Sequence, residues 1–224
     1  SKILSDYISK DKRFRYYRRP ENRQKGPCSC RNYGFEQSNG EYINFFDSDD
    51  LFKPHAFKDW VDAINERAEA VISKIELVDF DSLEVLKVYD IESKNLIEDF
   101  FIGTINFFVC GPLWKKEFLN KQEDLFNESL RNGDDWDFNL RMLYKAINLV
   151  FLKTANIQNR VHQNSLSKER NKLNKKELIS YFKALNLHLE LTKNRKDINA
   201  VRVSHYVIKR YKICSNKTTE GKTK

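Results

Sequence analysis

The sequence predicts an α/β sandwich with a mainly parallel sheet. Segments rich in β-branched and aromatic residues alternate with segments of helical periodicity through the first half of the 224-residue chain, and such alternation is typical of this class. A short apolar run at residues 41–46 ends in three carboxylates within four residues. Open sheets of this class bind ligands at the carboxyl ends of their strands, so this cluster predicts a site.

The N-terminal part predicts two helices and two strands. Residues 2–9 have the pattern of a helix end, and residues 13–18 alternate charged and aromatic side chains as a strand does. A polar loop at 19–26 leads to a helix at 28–38. The apolar run at 41–46 predicts a buried strand that delivers its carboxylates at the C-terminal end.

The middle of the chain predicts a helix, strands and a second, short helix. The first helix has one apolar face, formed by Phe57, Trp60, Val61, Ile64 and Ala68. Residues 71–109 are rich in β-branched and aromatic residues and have turns near 81–82 and 92–93, which predicts strands or a hairpin. After a Gly-Pro turn, residues 113–119 predict the short helix.

The C-terminal part predicts three helices and a tail. The first helix, at 134–146, has one face formed by Trp136, Leu140, Leu143 and Ile147. Two more are expected near 175–191 and 197–212. The earlier of these has a face of Leu178, Phe182, Leu185 and Leu189, which is expected either to pack on the rest of the chain or to form a homodimer. The polar, Lys-rich residues 215–224 are predicted to be disordered.

Charge is unevenly distributed along the chain. The net charge is +8, but residues 160–224 hold 17 Lys and Arg against five Asp and Glu. This basic region is expected either to be a solvated surface or to contact the anionic cytoplasmic face of a membrane, where each Lys or Arg contributes about 1 kcal/mol. No run approaches the roughly 20 apolar residues of a membrane span. The four cysteines have spacings that suit no zinc site, and reduced thiols in a cytoplasmic protein are expected.

Asp47, Asp49 and Asp50 form the acidic cluster after the buried strand. Three carboxylates so close together repel one another in a folded site unless a cation compensates them. Oxygen ligands of this kind suit Mg²⁺ or Mn²⁺, and such an ion then bridges phosphate oxygens. The alternative is a solvated turn that caps the next helix, a position that Asp favours.

Three segments around this cluster resemble the centre of family 2 glycosyltransferases. They are Cys30-Arg31-Asn32-Tyr33-Gly34, the strand Gly40-Glu41-Tyr42-Ile43, and the acidic cluster itself. The resemblance extends to about residue 167 and implies the Rossmann-like αβα sandwich known as the GT-A fold. It also implies that Asp47 and Asp49 form the family's Asp-x-Asp motif and face the ribose and the metal on the diphosphate. Arg31 and Asp50 would belong to the same nucleotide-sugar pocket.

A second acidic motif, Gly133-Asp134-Asp135-Trp136, is similar to the Glu-Asp pair that opens a helix beneath the acceptor in that family. Asp134 replaces the usual Glu, which is a conservative departure. The resemblance implies that Asp135 is the general base, with Asp134 beside it. The physics agrees, because a helix N-terminus favours an ionised carboxylate, which can accept the proton of a hydroxyl group. A simple helix cap is the alternative.

A third match is less specific. Residues 160–167 resemble an Arg-x-His-x-x-Ser-x-Ser-like segment that often follows the family's last core strand. His162 would then complete a metal site with Asp47 and Asp49, since neutral imidazole suits Mn²⁺ beside carboxylates. The alternative is a surface histidine without a function.

The resemblance also predicts the organisation of the chain. The family's first βαβ unit carries two turns that grip the base and ribose, and neither turn motif occurs in this sequence. The catalytic domain at residues 1–167 is therefore expected to be truncated at its N-terminus. A C-terminal helical extension at 168–214 and the disordered tail at 215–224 are expected to follow.

The implied function is that of a metal-dependent, inverting glycosyltransferase with Mn²⁺ or Mg²⁺ as cofactor. It would move a sugar from a nucleoside diphosphate sugar, expected to be a UDP-sugar, to a hydroxyl of a glycan or lipid-linked acceptor in cell-surface polysaccharide synthesis. No nucleic-acid partner is expected, although the basic C-terminal region leaves a nucleic-acid-binding protein as one alternative. A degenerate, non-catalytic family member and a metal-dependent nucleotidyltransferase are the others.

Overall fold

The computed structural model describes residues 2–145, 148–162 and 174–220, and these ranges form a mixed α/β fold. The helices there are α1 (Lys2–Lys10), α2 (Pro27–Gln37), α3 (Ala56–Ala63), α4 (Leu96–Ile102), α5 (Lys116–Asn120), α6 (Asp134–Leu143), α7 (Lys175–Thr192) and α8 (Ala200–Glu220). The strands there are β1 (Tyr42–Ile43), β2 (Leu51–Phe52), β3 (Ala70–Asp79), β4 (Val85–Val88), β5 (Pro112–Lys115) and β6 (Leu149–Val161).

Strand β3 is the centre of the sheet, whose order is β1-β5-β3-β6-β2, with β4 also paired to β3. β3 and β6 run parallel, from Ala70 opposite Leu149 to Asp79 opposite Val161. The other pairs are antiparallel, so the expectation of a mainly parallel sheet is wrong for the described residues. The composition of a segment indicates that it forms a strand, but the connection between two strands determines whether they run parallel or antiparallel. The tight turn between β3 and β4, for example, can join only antiparallel neighbours.

The hydrophobic core lies on both faces of β3. Alternate side chains of a strand point to opposite faces. Ala70 and Ile72 accordingly join one buried cluster, while Val71 and Ile75 join a second cluster that contains Trp60 of α3. Helices α4, α6, α7 and α8 contribute side chains to the first cluster. The predicted αβα sandwich is therefore present in the described residues.

Helix α3 is shorter and more exposed than predicted. It ends at Ala63, and the side chain of Asn65 then accepts two backbone N–H groups in a turn. Of the predicted apolar face, Trp60 is buried, whereas Phe57 and Val61 are 61% and 65% exposed. Helical periodicity located the helix, but it could not show how much of the face the sheet covers.

Residues 13–18 form no strand. Phe14, Tyr16 and Tyr17 are all exposed, and the ring of Phe14 packs on the neighbouring Tyr7 with 5.4 Å between the ring centroids. Alternation of charged and aromatic residues marks a strand when one face is buried against a core. That burial does not occur here, so the pattern was misleading.

The segment 71–109 contains the predicted hairpin, formed by β3 and β4, but it also contains α4. The apolar run of α4 is short enough to suit either a helix or a strand. The helix ends at Gly103, whose φ of 77° suits the residue after a helix. In the same way, residues 112–115 form β5 before α5 begins, where one helix was predicted over 113–119.

The two predicted C-terminal helices are confirmed as α7 and α8. Asn174 and Asn199 cap them by accepting backbone N–H groups of their first turns. Helix α8 continues to Glu220, so residues 215–220 are helical where a disordered tail was expected. Its sequence contains no Gly or Pro that would end the helix earlier. The boundary expected after residue 167 lies outside the described residues.

The C-terminal helices share the main core with the rest of the chain. Leu185 of α7 and Val203 of α8 are buried in the cluster that holds Phe101 of α4 and Phe138 of α6. The apolar face of α7 therefore packs within the chain, which was one of the two alternatives. No helix in the described part of the chain is long and apolar enough to cross a membrane.

A buried polar network joins α6 to α7. Asp137 Oδ1 lies 3.0 Å from His188 Nε2, and the same carboxylate binds Arg141 at 2.8 Å. The hydroxyl of Tyr144 lies 2.8 Å from His188 Nδ1. Burial lowers the pKa of His188, so its ring is neutral at pH 7, with Nε2–H donating to Asp137 and Nδ1 accepting from Tyr144. His188 thus fixes α7 against α6.

We expect Leu185→Ala to lower the free energy of unfolding by about 2–5 kcal/mol, because it leaves a cavity in the shared core. Leu191→Ala, at an exposed position of the same helix, is the matched control and should change that free energy by less than about 0.5 kcal/mol. Urea denaturation followed by fluorescence and circular dichroism measures both. Separate unfolding of α7 and α8, before the sheet, would contradict a shared core.

Candidate active site

The chain after strand β1 delivers the acidic cluster. β1 pairs with β5 over two residues, so the strand predicted at 41–46 is shorter than expected. The side chain of Asn44 then donates to the carbonyl oxygens of Cys110 and Pro112, at 2.7 and 2.8 Å. These side-chain bonds take the place of further strand pairing and hold the segment in line with the sheet.

Two adjacent phenylalanines fix the direction of this segment. Phe45 is buried in the main core with its ring centroid 4.8 Å from that of Phe126, whereas Phe46 stacks on Phe52 at 3.8 Å beside the second cluster. Neighbouring side chains of an extended segment point to opposite faces, so the two rings anchor it from both sides. Asp47 follows Phe46 directly, four residues after β1 ends, and is partly exposed.

Arg31 of α2 joins the two acidic motifs. Its Nη2 donates to Asp47 Oδ1 at 2.8 Å, and its Nη1 donates to Asp134 Oδ2 at 2.6 Å. Burial lowers the pKa of the guanidinium, but the charges of Asp47 and Asp134 outweigh this effect and raise it. One permanent cation therefore holds two carboxylates that are far apart in sequence.

Asp135 lies in the first turn of α6, directly after Asp134. Gly133, with a φ of 77°, precedes the helix, and the backbone N–H of Trp136 donates to Asp135 Oδ1 at 2.7 Å. Burial, followed by the charge of Asp134, raises the pKa of Asp135 to about 6, against the opposing effect of Arg31. The carboxylate is therefore ionised at pH 7 and still basic enough to accept a proton.

Asp49 lies against the end of strand β6. Its Oδ2 is 3.0 Å from Nε2 of His162, the residue that follows β6. The ring of Phe80 packs edge-on against this imidazole, with 5.5 Å between the ring centroids. The third sequence motif thus meets the first, although its residues 163–167 lie outside the described residues.

Asp50 is buried and faces strand β6. Its carboxylate accepts Nδ2 of Asn159 at 2.9 and 3.0 Å and the backbone N–H of Arg160 at 3.0 Å. Burial raises the pKa of Asp50 to about 6, although these hydrogen bonds oppose the rise. The carboxylate of Asp50, which was expected in the nucleotide-sugar pocket, is thus hydrogen-bonded to β6. Because β6 also leads to His162, Asp50 holds that histidine beside the acidic cluster.

Sequence reasoning missed the residues that support the site. Asn44 and Asn159 carry no motif signal, and their roles follow from which backbone groups the sheet leaves to be bonded.

A cleft of about 690 Å³ opens beside Arg31 and Asp47, within the range of small-molecule sites. Its walls include residues of α2 and the segment from Tyr42 to Ser48.

Comparison with known proteins identifies the family. The family model for glycosyl transferase family 2 matches residues 1–118. The succinoglycan biosynthesis protein ExoO of Rhizobium meliloti (strain 1021) is 26% identical over 126 residues, which cover 51% of this chain and 36% of ExoO. EpsH of Bacillus subtilis (strain 168) is 26% identical over 173 residues, which cover 73% of this chain and 49% of EpsH. The chain thus spans between a third and a half of these relatives.

Solved structures share the fold. The crystal structure of S. aureus TarS 1-349 in complex with UDP-GlcNAc matches with a TM-score of 0.63 and 16% sequence identity, over 92% of this chain and 57% of that chain. This likeness assigns the fold to the GT-A type that the motifs implied. The family model covers more than half of the 224 residues, and the chain therefore belongs to glycosyl transferase family 2.

Proposed function

We propose that this protein is an inverting glycosyltransferase that moves a sugar from a UDP-sugar to a hydroxyl of a glycan or lipid-linked acceptor, in cell-surface polysaccharide synthesis. The observation that carries this proposal is the Arg31 bridge between Asp47 and Asp134, which unites both acidic motifs in one site. Direct transfer requires the donor and the base to be held together. The UDP-GlcNAc in the TarS crystal structure and the succinoglycan pathway of ExoO support the donor and the pathway.

We assign Asp49 and His162 as the protein ligands of a Mn²⁺ or Mg²⁺ ion, with Asp47 nearby. Asp49 Oδ2 and His162 Nε2 lie 3.0 Å apart, so one ion could bind both. In the part of the chain that is described, no group of three or more His, Cys, Asp or Glu side chains is placed to hold a metal. These two residues would therefore hold the ion together with the donor, whose phosphate oxygens suit Mg²⁺ and Mn²⁺. When bound, the ion stabilises negative charge on the departing diphosphate.

Asp135 is the base in this proposal. Its carboxylate takes the proton of the acceptor hydroxyl as that oxygen forms a bond to the anomeric carbon. The bond between this carbon and the phosphate oxygen of the donor breaks, and the diphosphate leaves with the electron pair. Because the base lies opposite the leaving group, displacement inverts the anomeric configuration. Asp134 is held by Arg31, and its charge contributes to the raised pKa of Asp135.

Binding of UDP is expected to depend on Mn²⁺. Asp49→Ala and His162→Ala should each weaken it at least about tenfold, or 1.4 kcal/mol, because each removes one of the two protein ligands. Asp62→Ala removes an exposed carboxylate on α3 and is the matched control, with no expected change. Isothermal titration calorimetry with Mn²⁺, and again with EDTA, makes the comparison. Equal affinity under both conditions would overturn the metal assignment, and no nucleotide binding at all would favour the degenerate alternative.

Asp135→Asn should lower kcat for UDP release from UDP-GlcNAc by about 10²–10⁴ while leaving UDP affinity nearly unchanged. In the wild-type protein the rate should fall about tenfold per pH unit below the pKa of about 6, because the base must be ionised. Asp134→Asn removes a neighbouring negative charge and should move this decline to lower pH. A rate that stays constant across pH 6, or an Asp135→Asn variant with normal kcat, would contradict the assignment.

We also propose that the basic C-terminal region contacts anionic lipid at the cytoplasmic membrane face. Lys209 and Lys212 are exposed on α8 beside the exposed Val201 and Ile208, and residues 200–214 contain no acidic residue. Cosedimentation with phosphatidylglycerol vesicles should exceed that with phosphatidylcholine vesicles and should fall with salt. The double variant Lys209→Glu, Lys212→Glu should lose the difference. Equal binding to both kinds of vesicle would contradict the proposal.

A further inference from the structure

Phe108 has a backbone conformation that aromatic residues rarely adopt. Its φ is 42°, in the left-handed region that disfavours bulky side chains. Two asparagines hold it there: the side chain of Asn106 accepts the N–H of Phe108 at 3.0 Å, and Nδ2 of Asn139 donates to the Phe108 carbonyl at 2.7 Å. Both backbone groups of Phe108 are therefore fixed by side chains from different elements.

The turn itself does not explain a phenylalanine at this position. The backbone N–H of Gly111 donates to the Phe107 carbonyl at 3.0 Å and closes a tight turn around Phe108. Gly or Asn would satisfy a positive φ with less strain. Leu83 also has a positive φ, but it lies in the turn of the β3–β4 hairpin. The Phe108 ring packs in part against the second hydrophobic cluster, and the strained backbone holds its remaining, partly exposed surface in a fixed position.

The held residue lies close to the proposed base. Asn139 and Asp135 are four residues apart on α6 and so lie on the same face of the helix, one turn from each other. The loop end that follows Phe108 also lies beside the segment that delivers the acidic cluster, because Asn44 Nδ2 donates to the Cys110 carbonyl at 2.7 Å. The backbone around Phe108 is therefore bonded both to the helix of Asp135 and to the segment that precedes Asp47.

The side chains of Phe108, Tyr89 and Lys87 contact one another in turn and form a wall at the surface of the fold. The rings of Phe108 and Tyr89 meet edge to face, with centroids 5.4 Å apart and an interplanar angle of 86°. The Lys87 ammonium lies 3.9 Å from the Tyr89 ring centroid. Both rings are half-buried and Lys87 is exposed. The wall thus offers apolar ring surface and one positive charge to a ligand in solvent.

We propose that Phe108 and Tyr89 form an acceptor subsite that receives a sugar ring, and that Lys87 favours an anionic group on the same glycan. The apolar C–H face of a pyranose packs on aromatic rings, and polar groups at the edge fix its orientation. This inference rests on the proposed transferase function. Other aromatic side chains are less suited: Trp114 is fully buried, and Trp136 Nε1 donates to the Phe101 carbonyl at 3.2 Å.

The test uses two saccharide probes, neutral chitotriose and anionic trigalacturonate, titrated into the chain with Mn²⁺ and UDP present. Phe108→Asn is the main variant, because Asn tolerates the positive φ and removes only the ring. It should weaken binding of both probes about fivefold to tenfold, and Phe108→Tyr should restore it. Lys87→Gln should weaken trigalacturonate but not chitotriose. Phe57→Ala, at an exposed phenylalanine on α3, is the matched control and should change neither.

UDP affinity separates the possible outcomes. If UDP binds normally but neither probe binds, or if Phe108→Asn binds both probes like the wild-type protein, the subsite is wrong. If UDP does not bind even to the wild-type protein, the proposed function itself fails. Thermal unfolding of each variant checks that the fold is retained. Equal losses for Phe108→Asn and Phe57→Ala would show a general packing effect and would also overturn the subsite.

Discussion

Repulsion between carboxylates is the constraint on which the rest of this structure depends. Five of them gather at one end of the fold: Asp47, Asp49, Asp50, Asp134 and Asp135. Like charges at such distances are unfavourable unless cations or hydrogen-bond donors compensate them. Arg31 compensates Asp47 and Asp134, and His162 pairs with Asp49. Asp50 accepts hydrogen bonds from residues of β6. The compensating groups come from α2 and from the end of β6, and Arg31 also bonds Asp134 of α6, so the charge pattern holds α2, β6 and α6 together.

Two of these carboxylates, Asp50 and Asp135, differ in how the fold surrounds them. Asp50 and Asp135 both have a pKa raised to about 6 by burial, yet their surroundings differ. Asp50 receives three hydrogen bonds from β6 and is buried. Asp135 receives one, from the next backbone N–H, and is only partly buried. The same raised pKa thus belongs to a carboxylate anchored to β6 in one case and to a partly exposed carboxylate in the other.

The structure brings the residues of the three motifs together, and their roles stay predictions, whereas the direction of most strand pairs was predicted wrongly. Motif residues such as Asp47, Asp49 and Asp135 are visible because chemistry demands particular side chains at particular spacings. Strand direction, the end of α3 and the exposure of residues 13–18 depend on which surfaces meet, and a linear pattern does not contain that information. The supporting asparagines were invisible for the same reason, because Asn159 matters only after β6 lies beside Asp50.

Helix α6 shows why the C-terminal part of the chain matters to the site. The family model ends at residue 118, before Asp134, Asp135 and His162. The first turn of α6 carries the acidic pair, Asn139 holds the Phe108 loop, and Asp137 binds His188 of α7 in the core. Any arrangement that separates Asp137 from His188 leaves a buried polar group without its hydrogen bond, at a cost of about 1–3 kcal/mol. The C-terminal helices therefore help to orient α6, the helix whose first turn carries Asp134 and Asp135.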